Sequence, residues 1–410
     1  MFSNQLVVLV GGRGTRLGAL AQNTPKPLMP IDGDRVFLDY FLDTAVRQGF
    51  DDILFLAGHY GDQVAARYDG RVWNGARLRV VIEPEPRGTG GAFKYVLDQL
   101  APTFVAANGD TLFDINMRAL DARLQASPDL LGVLALRHVD DATRYGSVSR
   151  DENDLITRFA EKQKTDAPVA GAINGGIYAL RREAIARLPD GLSSIEGDLF
   201  PVLAAERRLA GVESKGYFLD IGLPETLQTA RDELPARRRP VLFLDRDGVI
   251  NIEKNYLYRI EDFEWVDGVI DVIRRRNDRG HAVVVVTNQA GVARGMYAEE
   301  DVHRLHRHIQ QALYAQGAFI DAFYYCPYHE AAAVAQYRVA NHPDRKPNPG
   351  MLLAAARDHR LDMSNAMLIG DMATDVAAAE ACGIPGYLFT GGDLLAFESA
   401  ILARTPHVPD

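Results

Sequence analysis

Strand-length apolar runs recur along the chain, and several stop abruptly at a small or polar residue: Leu6–Val10 runs into glycines 11 and 12, Val241–Leu244 into Asp245, and Val283–Val286 into Thr287. Runs of this kind, separated by longer amphipathic stretches, constrain the fold to α/β layers. A continuous Val/Leu/Ile run is buried on both faces only where helices cover both sides of a mostly parallel sheet. The residues that end the runs then lie at the carboxyl ends of strands, where open α/β sheets bind ligands. One series predicts strands at Leu6–Val10, Ile53–Ala57, Leu78–Glu83, Phe104–Ala107 and Leu131–Leu136, with helices at Phe37–Gln48 and Gly91–Gln99. A second predicts strands at Val241–Leu244, Val283–Val286, Ala322–Tyr325, Met367–Ile369 and Tyr387–Phe389.

A length of 410 residues exceeds what one hydrophobic core serves. Between the two series, Leu234-Pro-Ala-Arg-Arg-Arg-Pro240 carries prolines and like charges that resist packing. The predicted organisation is a domain over 1–234, a linker over 235–240 and a domain over 241–410, with no internal repeat. A net charge of −10 argues against nucleic acid or an anionic membrane as partner. The apolar runs fall far short of the roughly 20 residues of a membrane span, and no basic segment precedes an apolar one at the start. Two cysteines, Cys326 and Cys382, form no disulfide framework. A cytoplasmic protein is expected, and a homo-oligomer is compatible with the sequence.

After the first strand come Leu9-Val-Gly-Gly-Arg-Gly-Thr-Arg-Leu17 and Thr24-Pro-Lys-Pro-Leu28. Glycines 11, 12 and 14 let backbone N–H groups face an anion, while Arg13, Arg16 and Lys26 bring positive charge. The loop matches neither the dinucleotide fingerprint nor the P-loop. Asp110 and Asp220 each follow an apolar run, and two acids from distant segments suit Mg²⁺, which prefers carboxylate and phosphate oxygens. The glycine loop with Pro25-Lys26-Pro27 resembles the signature of the sugar-1-phosphate nucleotidylyltransferases. Further landmarks match in order over residues 1–233: Glu83-Pro-Glu-Pro-Arg-Gly-Thr-Gly-Gly-Ala92, Asn108-Gly-Asp110, Phe159-Ala-Glu-Lys162, Asn174-Gly-Gly-Ile177 and Tyr217-Phe-Leu-Asp-Ile-Gly222. The resemblance implies a Rossmann-like domain binding a nucleoside triphosphate at Gly11, Gly12, Gly14, Thr15, Gly88, Thr89 and Gly90. It implies Arg16 and Lys26 as catalytic groups, Glu161, Lys162 and Asn174 on the sugar phosphate, and Asp110 and Asp220 on Mg²⁺. Val10 departs from the family, where alanine is common, and its extra methyls bear on the fit of the nucleotide loop.

In the second series, Asp245-Arg-Asp247-Gly places two carboxylates two residues apart after a strand. One can attack phosphorus while the other trades a proton, with Mg²⁺ beside them. Thr287-Asn-Gln, Arg345-Lys346-Pro-Asn-Pro-Gly350 and Ile369-Gly-Asp371-Met-Ala-Thr-Asp375 add a hydroxyl, a lysine and further acids. Together these resemble the haloacid dehalogenase superfamily over residues 240–392, a Rossmannoid fold. The resemblance implies Asp245 as nucleophile, Asp247 as acid and base, Thr287 and Lys346 on the phosphoryl oxygens, and Asp245, Asp247 and Asp371 at Mg²⁺. Asp375 either orients Lys346 or caps the following helix. Within the superfamily the motifs are most similar to heptose bisphosphate and histidinol-phosphate phosphatases, which implies Asn288, Arg294 and Arg345 as substrate-binding residues. Many members hold a structural zinc where this chain has Cys326, His329, His342 and Asp344; the spacing is altered and one thiolate remains, so zinc is not expected. His303, His306 and His308 are read as a solvated helix face.

The first series is most similar to heptose 1-phosphate guanylyltransferases. The combined expectation is a bifunctional enzyme that removes the C7 phosphate of D-glycero-D-manno-heptose 1,7-bisphosphate and transfers GMP from GTP to the resulting heptose 1-phosphate. The same two activities on another sugar or nucleotide remain open, as does a first domain that senses a nucleotide sugar and regulates the phosphatase.

Overall fold

Residues Val283 to Val286 are all fully buried, as are Leu6, Val7 and Val8, so both faces of each run are covered. Residues 3–12, 17, 22–142, 147–159 and 169–404 are described by the structure, a computed structural model. The chain divides into two units, Met1–Ala236 and Arg237–Asp410.

The first unit is built on an eight-stranded sheet. Its spatial order is Leu209–Glu213, Gly132–Val139, Gly171–Arg181, Thr103–Asn108, Gln5–Leu9, Asp52–Ala57, Ala76–Ile82 and Val72–Trp73. Gln5–Leu9 lies at its centre, parallel to Asp52–Ala57 and to Thr103–Asn108. Alternate residues of that strand feed two cores, Leu6 and Val8 on one face with Phe41 and Phe55, Val7 on the other with Phe93 and Phe104. The sheet is mostly parallel, as expected; Val72–Trp73 runs antiparallel to Ala76–Ile82, and Gly171–Arg181 to both of its neighbours. Its Asn174-Gly175-Gly176 resembles a turn and is instead an irregularity within the strand, with register shifting between Asn174 and Tyr178. Gly176 takes φ +77°, and a Cβ on Gly175 would lie 2.5 Å from the Phe113 ring. The helix expected at Gly91–Gln99 begins earlier, spanning Gly88–Tyr95, and a 3-10 turn follows at Leu97–Gln99.

The second unit holds five parallel strands in the order Ala322–Cys326, Ala282–Asn288, Arg239–Leu244, Leu361–Gly370 and Gly386–Leu388. The chain leaves the central strand toward one side and later returns to the other, so the crevice at its carboxyl end is the switch point where such sheets bind ligands. Arg239 and Pro240, expected in a linker, begin this central strand. Arg239 is drawn in by Asp321, whose carboxylate lies 2.7 Å from its guanidinium and is fully buried.

The expectation for the histidines is corrected at one position. In the helix Glu299–Ala315, His306 is buried and stacks on Phe323 at 4.5 Å, facing the sheet. The helix carries enough charge to look solvated all round, yet His306 stands one residue after the buried Leu305 and three before the buried Ile309, on the face that packs. Burial, aided by Arg246 and His303, depresses the His306 imidazole to about 2.

Candidate active sites

In the first unit, the central strand and its neighbours open at their carboxyl ends into a cleft of about 580 Å³. Gly11, Gly12, Lys26, Glu83, Gly88, Thr89, Asn108 and Asp110 are among the residues lining it. Gly11 is required by close approach, since a Cβ there would lie 2.8 Å from the Gly58 backbone nitrogen. Lys26 Nζ sits 3.2 Å from Asp110 Oδ2, so the lysine of the Pro-Lys-Pro string is delivered beside the acid that ends the strand Thr103–Asn108. Asp220 reaches the same region through a two-stranded ribbon, Thr111–Asp114 with Tyr217–Asp220, in which Asp220 opposes Thr111. The Ile221 N–H closes this corner by donating to the Asp110 carbonyl at 3.1 Å. Val10 is buried and packs against Gly109, so its additional methyls fill the wall behind Asp110.

The glycines of Gly88-Thr-Gly-Gly91 answer to packing as well as to the cleft. A Cβ on Gly88 would lie 2.4 Å from the Ser193 carbonyl oxygen, and one on Gly91 would lie 2.0 Å from that of Gly191. The Gly90 N–H donates to Ser193 O at 2.9 Å. Gly88 and Thr89 line the cleft, while Thr89 Oγ1 is held 2.9 Å from Glu196. The Asn174 side chain is occupied within the strand irregularity, donating to Tyr178 Oη and accepting from Gly176 N, both at 3.0 Å. Arg13, Gly14, Thr15, Arg16, Glu161 and Lys162 lie outside the described residues. Glu83 was absent from the predicted site; its carboxyl faces the cleft and is raised above the usual range by burial. Its place at the carboxyl end of the strand Ala76–Ile82 is the signal that could have found it.

In the second unit, Asp245, Thr287 and Asp371 emerge side by side from three adjacent strands. Lys346 is buried and spans the acids: Nζ lies 2.9 Å from Asp245 Oδ2, 2.5 Å from Asp375 Oδ1 and 2.7 Å from the Val286 carbonyl. Asn288 holds the lysine's backbone reciprocally, accepting from Lys346 N at 3.1 Å and donating to Lys346 O at 3.0 Å. Asp375 performs both of its proposed tasks, since its other oxygen caps the helix Ala373–Ala381 by accepting from Met372 N at 2.9 Å.

Oxygens of Asp245, Asp371 and Asp375 lie within 4.8 Å of one another, and among the described residues no other cluster of three such groups is found. Burial raises Asp245 to about 7, opposed by Lys346 and reinforced by Asp375 and Asp247. Burial and Asp375 raise Asp371 to about 6. Burial disfavours the Lys346 ammonium, but Asp245 and Asp375 outweigh it and raise the lysine. Lys346 is thus one cation among three carboxylates, and the donor set fits an additional hard divalent cation. Gly248 keeps the acids close, because a Cβ there would lie 2.3 Å from Asp371 Oδ2.

Asp247 accepts from Arg246, from Asn251 Nδ2 at 3.0 Å and from Gln289 Nε2 at 2.9 Å. Gln289 and Arg246 stand inside the predicted strings, yet the Gln289 contact crosses from the neighbouring strand, which no spacing rule joins to Asp247. Arg345 donates to the Tyr328 carbonyl at 3.2 Å and Arg294 lies over the Tyr256 ring at 5.4 Å. Burial, with Arg294 as a neighbour, lowers Arg345. In the nearby loop, Cys326 Sγ lies 4.0 Å from His342 Nδ1, while His342 stacks on Tyr328 at 4.1 Å and His329 Nδ1 accepts from Ala331 N.

Residues 5–237 match the family model described as nucleotidyl transferase, more than half of the chain, and the chain belongs to that family. Residues 344–410 match the model described as HAD-hydrolase-like. One relative of the second unit is a D-glycero-beta-D-manno-heptose-1,7-bisphosphate 7-phosphatase of Rhodopseudomonas palustris, 47% identical over 167 residues, which are 41% of this chain and 92% of that protein. Another, of the same description, is from Escherichia coli K12, 40% identical over 36% of this chain and 78% of that protein. The second unit belongs to the family of these phosphatases. Among solved structures, HddC from Yersinia pseudotuberculosis is 29% identical, with a TM-score of 0.48 over 57% of this chain and all of that one. The chain therefore joins a nucleotidyl transferase domain to a haloacid-dehalogenase-type phosphatase domain. No described helix is long and apolar enough to cross a membrane.

Proposed function

We propose that the chain carries out two successive reactions: removal of the C7 phosphate from D-glycero-D-manno-heptose 1,7-bisphosphate in the second unit, and transfer of GMP from GTP to the resulting heptose 1-phosphate in the first. The observation that carries this reading is the union, in one chain, of a buried aspartate site from the heptose bisphosphate phosphatase family with a nucleotidyl transferase cleft. Removing one phosphate leaves a sugar 1-phosphate, the substrate class of the other domain.

In the phosphatase, an Asp245 oxygen attacks phosphorus and the bond to the sugar's O7 breaks. Asp247 gives that oxygen a proton, then takes one from the water that cleaves the aspartyl phosphate. Lys346 and Thr287 offset charge on the phosphoryl oxygens. Asn288 keeps Lys346 in place through the paired backbone contacts, and Arg294 and Arg345 bind the second phosphate. In the transferase, an oxygen of the sugar 1-phosphate attacks the α-phosphorus in line and expels pyrophosphate, with no enzyme nucleophile. Catalysis there is positioning and charge neutralisation by Arg16 and Lys26, with Glu161, Lys162 and Asn174 toward the sugar phosphate. Mg²⁺ supplies charge neutralisation at phosphate oxygens in both units; Asp110 and Asp220 would hold it in the first, and Asp245, Asp371 and the backbone of Asp247 in the second.

Glu83 supports GTP as donor. Guanine presents N1–H and N2–H side by side, and one carboxylate accepts both, whereas adenine and uracil offer no such pair of donors. The reactions would take place in the cytoplasm, on small phosphates, without nucleic acid or membrane. The test is incubation with heptose 1,7-bisphosphate, Mg²⁺ and each nucleoside triphosphate in turn, measuring phosphate, pyrophosphate and nucleotide sugar. GTP should be preferred, and Glu83→Gln should narrow its advantage by about 10²-fold. No phosphate release from C7 would sink the pathway reading, and equal turnover of all nucleotides would sink the choice of base.

A further inference from the structure

We propose that Gln289 is a positioning residue of the phosphatase site, fixing the carboxylate of Asp247 against the hydroxyl of Thr287. The inference rests on the reading of Asp247 as the group that hands a proton to the leaving sugar oxygen. Three side chains hold Asp247. Arg246 does so with one guanidinium nitrogen 2.9 and 2.8 Å from its two oxygens, and Asn251 donates at 3.0 Å. Both lie on the same loop as Asp247 and travel with it. Gln289 comes instead from just beyond the neighbouring strand Ala282–Asn288, and so ties that loop to the rigid sheet.

The two hydrogens of the Gln289 amide are divided between the catalytic groups. Nε2 donates to Asp247 Oδ2 at 2.9 Å and to Thr287 Oγ1 at 3.0 Å. Its Oε1 accepts from Tyr297 Oη at 2.7 Å. This last contact decides which way the amide points, since the reversed amide would set an acceptor against a carboxylate. Tyr297 is itself immobilised: it is buried, and its ring stacks on Tyr258 with centroids 5.1 Å apart. Burial raises its hydroxyl, which keeps the proton needed to donate. Gly291 makes the room, because a Cβ there would lie 2.2 Å from the Tyr297 ring. Gln289 is 1% exposed and both ends of its amide are taken up, by Asp247 and Thr287 on one side and Tyr297 on the other, so it acts through Asp247 and Thr287.

Leaving groups separate this role from a structural one. A sugar alkoxide needs a proton as it departs, whereas 4-nitrophenolate does not, so a displaced Asp247 harms the sugar ester more. The full chain carrying Gln289→Met is assayed on heptose 1,7-bisphosphate and on 4-nitrophenyl phosphate. For the sugar, kcat/KM should fall about 10²-fold with KM within about threefold, as expected for misplaced proton transfer. For the aryl ester the loss should stay near threefold. Tyr297→Phe should shift the same ratio by about tenfold, and it decides the matter if Gln289→Met does not fold. Equal losses on both esters, a loss carried by KM, or no loss overturns the proposal. A wild-type chain that cleaves the aryl ester but not the heptose breaks the substrate reading alone, and the ratio is then taken with glycerol 2-phosphate.

Discussion

The two sites use aspartates in opposite ways. In the second unit, Asp245 and Lys346 are buried together, and Lys346 is held by both Asp245 and Asp375. In the first, Asp110 keeps 34% of its side chain exposed in an open cleft, with Lys26 Nζ 3.2 Å from it. A reaction through a covalent enzyme intermediate needs a nucleophile fixed and partly desolvated, so burial and its pKa cost are built into the fold. A transfer directly between two bound phosphates needs room for both, so a cleft with charge at its rim serves better.

The sharpest way to break this contrast is to remove one acid from each side. Asp245→Asn should lower phosphate release by about 10⁴-fold or more while pyrophosphate formation stays within about twofold. Asp110→Asn should do the reverse, lowering pyrophosphate formation by about 10³-fold. Loss of both reactions from either change would show that the sites are not independent. Burial predicts a second asymmetry, in stability. Lys346→Met strands Asp245 and Asp375 without their cation and should cost the second unit about 3 kcal/mol, read by denaturant unfolding. Lys26→Met, at the open cleft, should cost less than about 1 kcal/mol. Similar costs would mean that burial is not the difference.

A smaller effect concerns pH. Burial, with Arg276 beside it, lowers His281 to about 4, and His306 is lowered to about 2. Both are neutral in the folded state, while the unfolded chain takes up protons near 6.5. The stability they contribute is therefore present above about 6.5 and is lost as pH falls toward 4, by on the order of 3 kcal/mol for His281. Unfolding of the second unit followed from pH 7 to 4 should show this slope, and His306→Phe, which keeps a ring against Phe323, should flatten it. An unchanged slope in that variant would remove the His306 imidazole as a cause.

Much of the second unit was legible from single strings. Asp245, Thr287 and Asp371 each end an apolar run, and parallel strands line up their carboxyl ends, so order along the chain nearly dictates the cluster. Less of the first unit was legible. Gly171–Arg181 carries Asn-Gly-Gly in its middle, a turn signal overridden by pairing on both edges. Gly88 and Gly90 looked like ligand contacts, but their missing Cβ atoms, with that of Gly91, also admit the segment 191–193. Arg239 and Pro240 looked like linker because charge and proline resist packing, and Asp321 supplies the compensation that lets Arg239 into a sheet.

By itself the sequence determined two α/β units and the strings that form their candidate sites, because strand burial and strand-end chemistry are local properties written in consecutive residues. Only the tertiary structure decided how those strings are held. The Lys346 bridge, the Asp375 support and the hold of the Gln289 amide on Asp247 depend on distances of 2.5 to 2.9 Å between residues far apart in the chain. Hydrogen bonds and ion pairs weaken steeply over an ångström, so such partnerships exist only once strands, loops and helix ends have been packed into place.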